Sequence, residues 1–260
     1  MKLTRYGRRE WLGSLMLAFC LIGLLFCATL FTCFPWPAFA SAALLILLVW
    51  SALAAFFRDP ERKVPVNPAV LLSPADGVVR DIELVKSDAL DSEQLRKLFQ
   101  DRDVLRIGIF LSVFNVHLNR APVAMKAVFR EYKPGAFHDA RDGRASKENE
   151  AMLLGASARF EDLTFPVAVR QISGAIARRI VCPVEPGTEF AQGERYGMIK
   201  FGSRTELYLP AGAGIEVAVK VGDPVTAGIS TLAEIGPDAR EKLRNLPFNN
   251  AAQHGDSTVK

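Results

Sequence analysis

No charged residue occurs between Trp11 and Phe57. Crossing a bilayer core of about 30 Å at about 1.5 Å per residue takes about 20 apolar residues. Pro35-Trp36-Pro37 divides the run into Trp11–Phe34 and Ala38–Phe57, each long enough to span. Proline interrupts helices and tryptophan favours the membrane interface, so this tripeptide predicts a turn between two spans, with one span plus an interfacial segment as the other reading. The first segment is too long for the apolar stretch of a cleaved signal peptide, and a second comes directly after it. Lys2, Arg5, Arg8 and Arg9 precede the hairpin, and Arg58, Arg62 and Lys63 lie after it. Positive charge on both flanks predicts that both ends, and the whole remainder, lie on the cytoplasmic side of the cell membrane.

Cysteine and histidine are scarce. Cys20, Cys27 and Cys33 lie in the first apolar segment and Cys182 stands alone outside it, so neither a disulfide framework nor a metal spacing is present. This pattern fits a reducing compartment, and no metal is expected. Excess charge is lacking too. The net charge is +4, and the first ten residues, with four basic groups against Glu10, supply most of it. The basic balance therefore reports a membrane anchor and gives no support to a nucleic-acid surface.

The chain beyond the anchor reads as mainly β (α+β). Short apolar runs such as Leu105–Leu111, Val167–Val169, Ile199–Phe201 and Val217–Val219 alternate with Gly and Pro turns. Four parts result: a basic N-terminus over 1–10, the anchor over 11–57, a β-rich domain over 58–236, and a tail over 237–260 expected to be mobile. Asp88–Gln100 reads as a polar, helix-compatible insertion at the surface. Val184-Glu-Pro-Gly-Thr-Glu-Phe-Ala-Gln-Gly193 echoes Val219-Lys-Val-Gly-Asp-Pro-Val-Thr-Ala-Gly228, with two turns six residues apart in each. That spacing resembles the paired hairpins of biotinyl and lipoyl domains, and Ser73–Val79 looks like a further turn of the same type.

One dipeptide, Gly202-Ser203, could do chemistry on its own backbone. If the Ser203 hydroxyl attacks the Gly202 carbonyl, the amide becomes an ester. Elimination then breaks the chain and leaves a dehydroalanine, whose hydrolysis releases ammonia and leaves a pyruvoyl group at position 203. Glycine suits the strained turn this requires. Activating the hydroxyl calls for a base. Of the three histidines, His254 lies in the polar tail and His138 in a polar loop, whereas His117 ends the apolar run Ile109–His117. It reads equally as a core histidine or as a proton-transfer group. Asp76, in Pro74-Ala-Asp-Gly77, reads first as a turn residue; a carboxylate that orients a histidine beside a serine is the other reading. Spacing alone does not join Asp76, His117 and Ser203. A serine hydrolase is disfavoured because no Gly-x-Ser-x-Gly elbow occurs. A carrier domain is disfavoured because Ala124-Met-Lys-Ala127 lacks the second Met of a biotin-attachment motif.

Phe56–Arg62, Leu72-Ser-Pro-Ala-Asp-Gly77, Asn115-Val-His-Leu-Asn-Arg-Ala-Pro122, Gln171–Val181 and Gly197–Arg204 together resemble the successive signatures of the phosphatidylserine decarboxylases, in their short single-domain form. The resemblance runs in order from about Phe56 to Ile235. It implies a self-cleaving enzyme that converts phosphatidylserine to phosphatidylethanolamine and CO₂, with cleavage between Gly202 and Ser203. Ser203 then becomes a covalent pyruvoyl cofactor, and Asp76 with His117 forms the dyad that activates it. It implies a membrane-borne lipid substrate and two product chains that stay associated, and it leaves a homo-oligomer open. A decarboxylase of a related seryl lipid would share every motif. One departure stands out: family members often carry Arg after Ala-Ser-x-Glu-Asn-Glu, and here Ala151 comes after Ala145–Glu150.

Overall fold

The computed structural model describes residues 2–32, 35–139, 144–174, 179–200 and 203–245. The chain separates into two units, residues 1–61 and 62–260.

The first unit is a helical hairpin. Helices α1 (Arg8–Phe31, 24 residues) and α2 (Trp36–Phe56, 21 residues) have lengths of about 36 and 32 Å at 1.5 Å per residue. Both are long and apolar enough to cross a membrane, and most of their apolar side chains face outward. Pro37 sits in the first turn of α2, where its missing N–H costs nothing. The ends of the hairpin are tied together. Thr4 N–H donates to Phe57 O at 2.8 Å and Asp59 N–H to Lys2 O at 2.8 Å. The chain therefore enters and leaves the hairpin at the same end, as the basic residues on both flanks imply.

The second unit is β-rich. Its strands are β1 (Val70–Leu72), β2 (Gly77–Val85), β3 (Val104–Leu111), β4 (Leu118–Arg120), β5 (Met125–Lys133), β6 (Ala151–Phe160), β7 (Leu163–Ser173), β8 (Arg179–Val181), β9 (Glu189–Phe190), β10 (Arg195–Lys200), β11 (Ser203–Pro210), β12 (Ile215–Val217), β13 (Pro224–Val225) and β14 (Thr231–Ile235). Among the described residues they form an eight-stranded sheet ordered β13-β2-β3-β11-β7-β6-β5-β9 and two three-stranded sheets, β1-β14-β12 and β4-β10-β8.

Strand β11 is the spine of this unit. All eight of its residues are buried, and it pairs antiparallel with β3 on one side and β7 on the other. Period-two alternation sends Ser203, Thr205, Leu207 and Leu209 to one face and Arg204, Glu206 and Tyr208 to the other. Leu207 and Leu209 enter the main core with Leu71, Val79, Ile109 and Tyr196. Tyr208 enters a second core with Leu90, Leu95, Leu98 and Phe99.

The echoed segments occupy matching places. Their strands, β9 and β13, cap opposite edges of the large sheet. Gly187 N–H bonds Ala127 O at 2.7 Å as Gly222 N–H bonds Val79 O at 2.8 Å, and Gly193 N–H bonds Ala121 O at 2.8 Å as Gly228 N–H bonds Ser73 O at 2.9 Å. All four glycines have φ between 69° and 100°, the left-handed region that side chains disfavour.

Two expectations need correction. The segment 88–100 is more than a surface insertion. Helix α3 (Glu93–Phe99), capped by the Ser92 hydroxyl, buries Leu95, Leu98 and Phe99 in the second core. The tail also begins later than position 237. Beyond the four-residue helix α4 (Ala145–Glu148), the last element is α5 (Pro237–Arg244), and its Ala239 and Leu243, four residues apart on one face, are fully buried in the main core. Two apolar residues in a charged segment were too weak a periodic signal. Residues 246–260 lie outside the described residues.

Candidate active site

Three segments meet at the start of β11. Ser203 opens that strand, paired with Leu111 of β3 and Ser173 of β7. Its side chain is fully buried, and its hydroxyl has no hydrogen-bond partner among the described residues. A buried hydroxyl without a partner is costly, and such groups concentrate where chemistry occurs. Phe201 and Gly202 lie outside the described residues.

His117 is also fully buried, directly before β4. Its carbonyl accepts from Ile199 N–H at 3.1 Å, which ties it to β10 four residues before Ser203. Its Nδ1 lies 3.0 Å from Asn115 O. A carbonyl only accepts, so Nδ1 carries the hydrogen in this contact. Asn115 in turn accepts the Ser112 N–H and hydroxyl, each at 2.8 Å, closing the turn that precedes the histidine.

Asp76 is buried and held by other groups. Arg62 donates to both of its oxygens, Nη1 to Oδ1 at 2.6 Å and Nη2 to Oδ2 at 2.8 Å. Ala227 N–H donates to Oδ1 at 2.8 Å, and Arg62 Nη1 also reaches Ala227 O at 2.6 Å. The Asp76 carboxylate is thus held by Arg62 and the Ala227 N–H. The turn it sits in admits only glycine next. Gly77 has φ +155°, and a Cβ there would lie 2.1 Å from Phe110 O.

Asn119 stitches the three segments together. It is fully buried, and its Nδ2 donates to Pro74 O at 3.3 Å and to Thr205 Oγ1 at 3.1 Å. Its Oδ1 accepts from Gln171 Nε2 at 2.8 Å. One side chain therefore links the Asp76 loop, the strand after His117, the strand that Ser203 opens, and β7. From sequence, Arg62 was read only as a basic residue flanking the hairpin, and Asn119 and Gln171 were given no role of their own. Each does fall inside a motif that carries the resemblance, and a lone amide in the apolar run Val116-His-Leu-Asn119 was the available signal.

His138 has its Nε2 2.9 Å from Glu148 Oε2 and its N–H on Asn149 Oδ1, and Asn149 Nδ2 donates both to His138 O at 2.8 Å and to Ser173 O at 2.7 Å. His254 lies outside the described residues. Ala151 opens β6 and lines a cavity of about 20 Å³ together with Asp91 and Arg170. The Asp91–Arg170 pair at 2.9 Å supplies the ionic contact at this place.

The opposite face of β11 carries a buried ion cluster. Glu206 Oε1 accepts from Arg204 Nε at 2.8 Å and from the Ser146 hydroxyl at 2.8 Å, and Oε2 accepts from the Tyr208 hydroxyl at 2.6 Å. Burial alone would raise the pKa of Glu206, but Arg204, Arg106 and Arg170 outweigh it and hold the carboxyl below its ordinary value. Burial pushes the Tyr208 phenol well up, assisted by Glu206. Charges locked in this way fix the strand immediately after Ser203.

The chain matches a family model described as phosphatidylserine decarboxylase over residues 51–233. It is 44% identical to a phosphatidylserine decarboxylase proenzyme of Trichlorobacter lovleyi over 195 residues, covering 75% of this chain and 81% of the relative. A proenzyme of the same name from Aromatoleum aromaticum is 42% identical over 74% of this chain and 83% of its own. One from Neisseria meningitidis is 38% identical over 76% and 72%.

Proposed function

Because the chain belongs to the phosphatidylserine decarboxylase family, we propose that it is a membrane-associated carboxy-lyase. It cleaves itself between Gly202 and Ser203 and then decarboxylates phosphatidylserine to phosphatidylethanolamine. The observation that carries this reading is the fully buried Ser203 hydroxyl at the head of a central strand, which has no hydrogen-bond partner among the described residues. It is joined through Thr205, Asn119 and Pro74 to the segments bearing His117 and Asp76.

The residues present fit a pyruvoyl group formed from Ser203. The position is sealed from solvent, its neighbours Leu111 and Ser173 are set by strand register, and no charged side chain opposes it in either register. When present, that group supplies an electron sink for loss of CO₂ from an α-amino acid. His117 Nε2 is the base that takes the Ser203 hydroxyl hydrogen as the oxygen attacks Gly202. Asp76 supports it by fixing, through Arg62 and Ala227, the loop whose Pro74 carbonyl holds the strand after His117. After the cut the short chain stays in place, because β11 remains laddered between β3 and β7 along its length.

Membrane association and a cytoplasmic catalytic unit belong to this reading; the length and apolarity of the two helices support the first, and the basic residues on both flanks support the second. Intact mass of the purified chain tests the reading. Two fragments meeting at Gly202/Ser203 are expected, the shorter one blocked to Edman degradation, while Ser203→Ala stays whole and releases no CO₂. A free, readable serine at the start of the short chain would sink it. Parallel assays with other seryl lipids test the choice of lipid.

A further inference from the structure

Beside Ser203 lie two further buried oxygens without a partner among the described residues, Ser173 Oγ and Gln171 Oε1. Ser173 is 0% exposed and Gln171 1%. Register pairs Ser203 with Ser173 and Thr205 with Gln171, so alternation brings all four side chains to the same face. Directly opposed residues of an antiparallel pair have Cβ atoms about 4.5–5.5 Å apart. Gly197 of β10 packs over this place without a side chain. A Cβ there would lie 3.1 Å from Gln171 Nε2.

The direction of the Gln171 amide is set by a relay that starts at a carbonyl. Pro74 O can only accept, so Asn119 must turn its NH₂ toward it. Asn119 Oδ1 then faces Gln171, which must answer with its own NH₂. Gln171 Oε1 is thereby left over as a buried group that can only accept. Self-cleavage removes the Ser203 hydroxyl oxygen, and the substrate headgroup is what arrives at position 203 afterwards. Of its polar groups, the phosphodiester and the carboxylate only accept. The amino group alone donates.

We propose that Gln171 Oε1 and Ser173 Oγ form the acceptor site for the amino group of the substrate. It turns the nitrogen toward position 203 and the carboxylate away from β7. The proposal rests on the assignment of Ser203 as the self-cleaving, pyruvoyl-forming residue. It also makes Asn119 a positioning residue, since Asn119 sets which atom of Gln171 is presented.

The test uses full-length wild type, Ser173→Ala and Gln171→Met in detergent micelles. Intact mass first establishes whether each divides at Gly202/Ser203. Calorimetry then measures binding of short-chain phosphatidylethanolamine, which has N–H groups, and of short-chain phosphatidylcholine, which has none. Hydrogen bonds to a charged donor set the scale, so the matured fraction of each variant should lose about tenfold or more in affinity for the amine lipid. Ser173→Ala should mature normally, whereas Gln171→Met also removes the donor to Asn119 Oδ1 and should mature more slowly. Affinity for the trimethylammonium lipid should be unchanged in both. Unchanged amine binding in both variants, or an equal loss for both lipids, overturns the proposal. A Gln171→Met chain that stays uncut would place Gln171 in maturation and overturn its part, leaving Ser173→Ala to decide the rest. A wild type that stays whole removes the Ser203 assignment, and with it this one.

Discussion

Replacing Arg62 by Met should destabilise the second unit severely, and the size of the effect can be worked from four hydrogen bonds. Arg62 and Asp76 side chains are only 9% and 12% exposed, and their contacts at 2.6 and 2.8 Å are bidentate. Removing one partner of a buried pair strands the other charge, at a cost of about 3–5 kcal/mol. For a unit of this size 1 kcal/mol moves Tm by about 2–4 °C, so Arg62→Met should lower it by roughly 6–20 °C. Asp76→Asn should cost a similar amount: the amide oxygen still accepts from Ala227, but the guanidinium loses its counter-charge. The double variant buries no charge and should cost well under the sum, by about 2–3 kcal/mol. Circular dichroism melts in detergent, at matched scan rate, measure all four proteins. Additive losses would refute the pairing. Processing supplies a second arm. If Asp76 acts by holding its loop, Arg62→Met slows self-cleavage as much as Asp76→Asn does. A normally cutting Arg62→Met beside a silent Asp76→Asn would put Asp76 at the reacting atoms instead.

Glu206→Gln leaves three arginines facing a neutral group and should cost about 3–5 kcal/mol by chemical denaturation. Because the folded pKa of Glu206 is lowered, its stabilisation is full above the ordinary carboxylate value of about 4.3 and is lost as pH falls below it. The variant's stability should therefore fall less on acidification than the wild type's, and parallel slopes would contradict this. Burial pushes the Cys182 thiol up to about 11. At pH 8 its thiolate should be about 100-fold scarcer than that of a free cysteine, and peptide-resolved alkylation should be slower by at least that factor. With the folded value raised, stability present below about pH 8.5 should decline as pH climbs toward 11, and Cys182→Ala should remove that part of the decline.

Much of this protein was legible in its sequence because the signals are local. A charge-free run of that length has no stable place but an apolar one, and Pro-Trp-Pro cannot continue a helix, so the two long apolar helices needed no tertiary information. The echoed glycine turns were legible for the same reason: each glycine occupies a backbone conformation that other residues resist, and the spacing carried over to both edges of the large sheet. Gly202-Ser203 stood out as a dipeptide. What supports Ser203 as a site, however, is its burial without a partner among the described residues, and no local pattern encodes that. Tertiary structure alone decided the partners. Asp76 reads as one half of an Asp–His pair, yet its carboxylate is taken by Arg62, 14 residues earlier, and by a backbone amide 151 residues later. Asn119 meets Thr205 86 residues away and Gln171 52 away. Helix α5 is held because two apolar side chains, Ala239 and Leu243, find a core whose strands begin as far upstream as β1. Hydrogen bonds reach about 3 Å and are indifferent to chain separation. Which groups come within that reach is set by the folding of the whole unit.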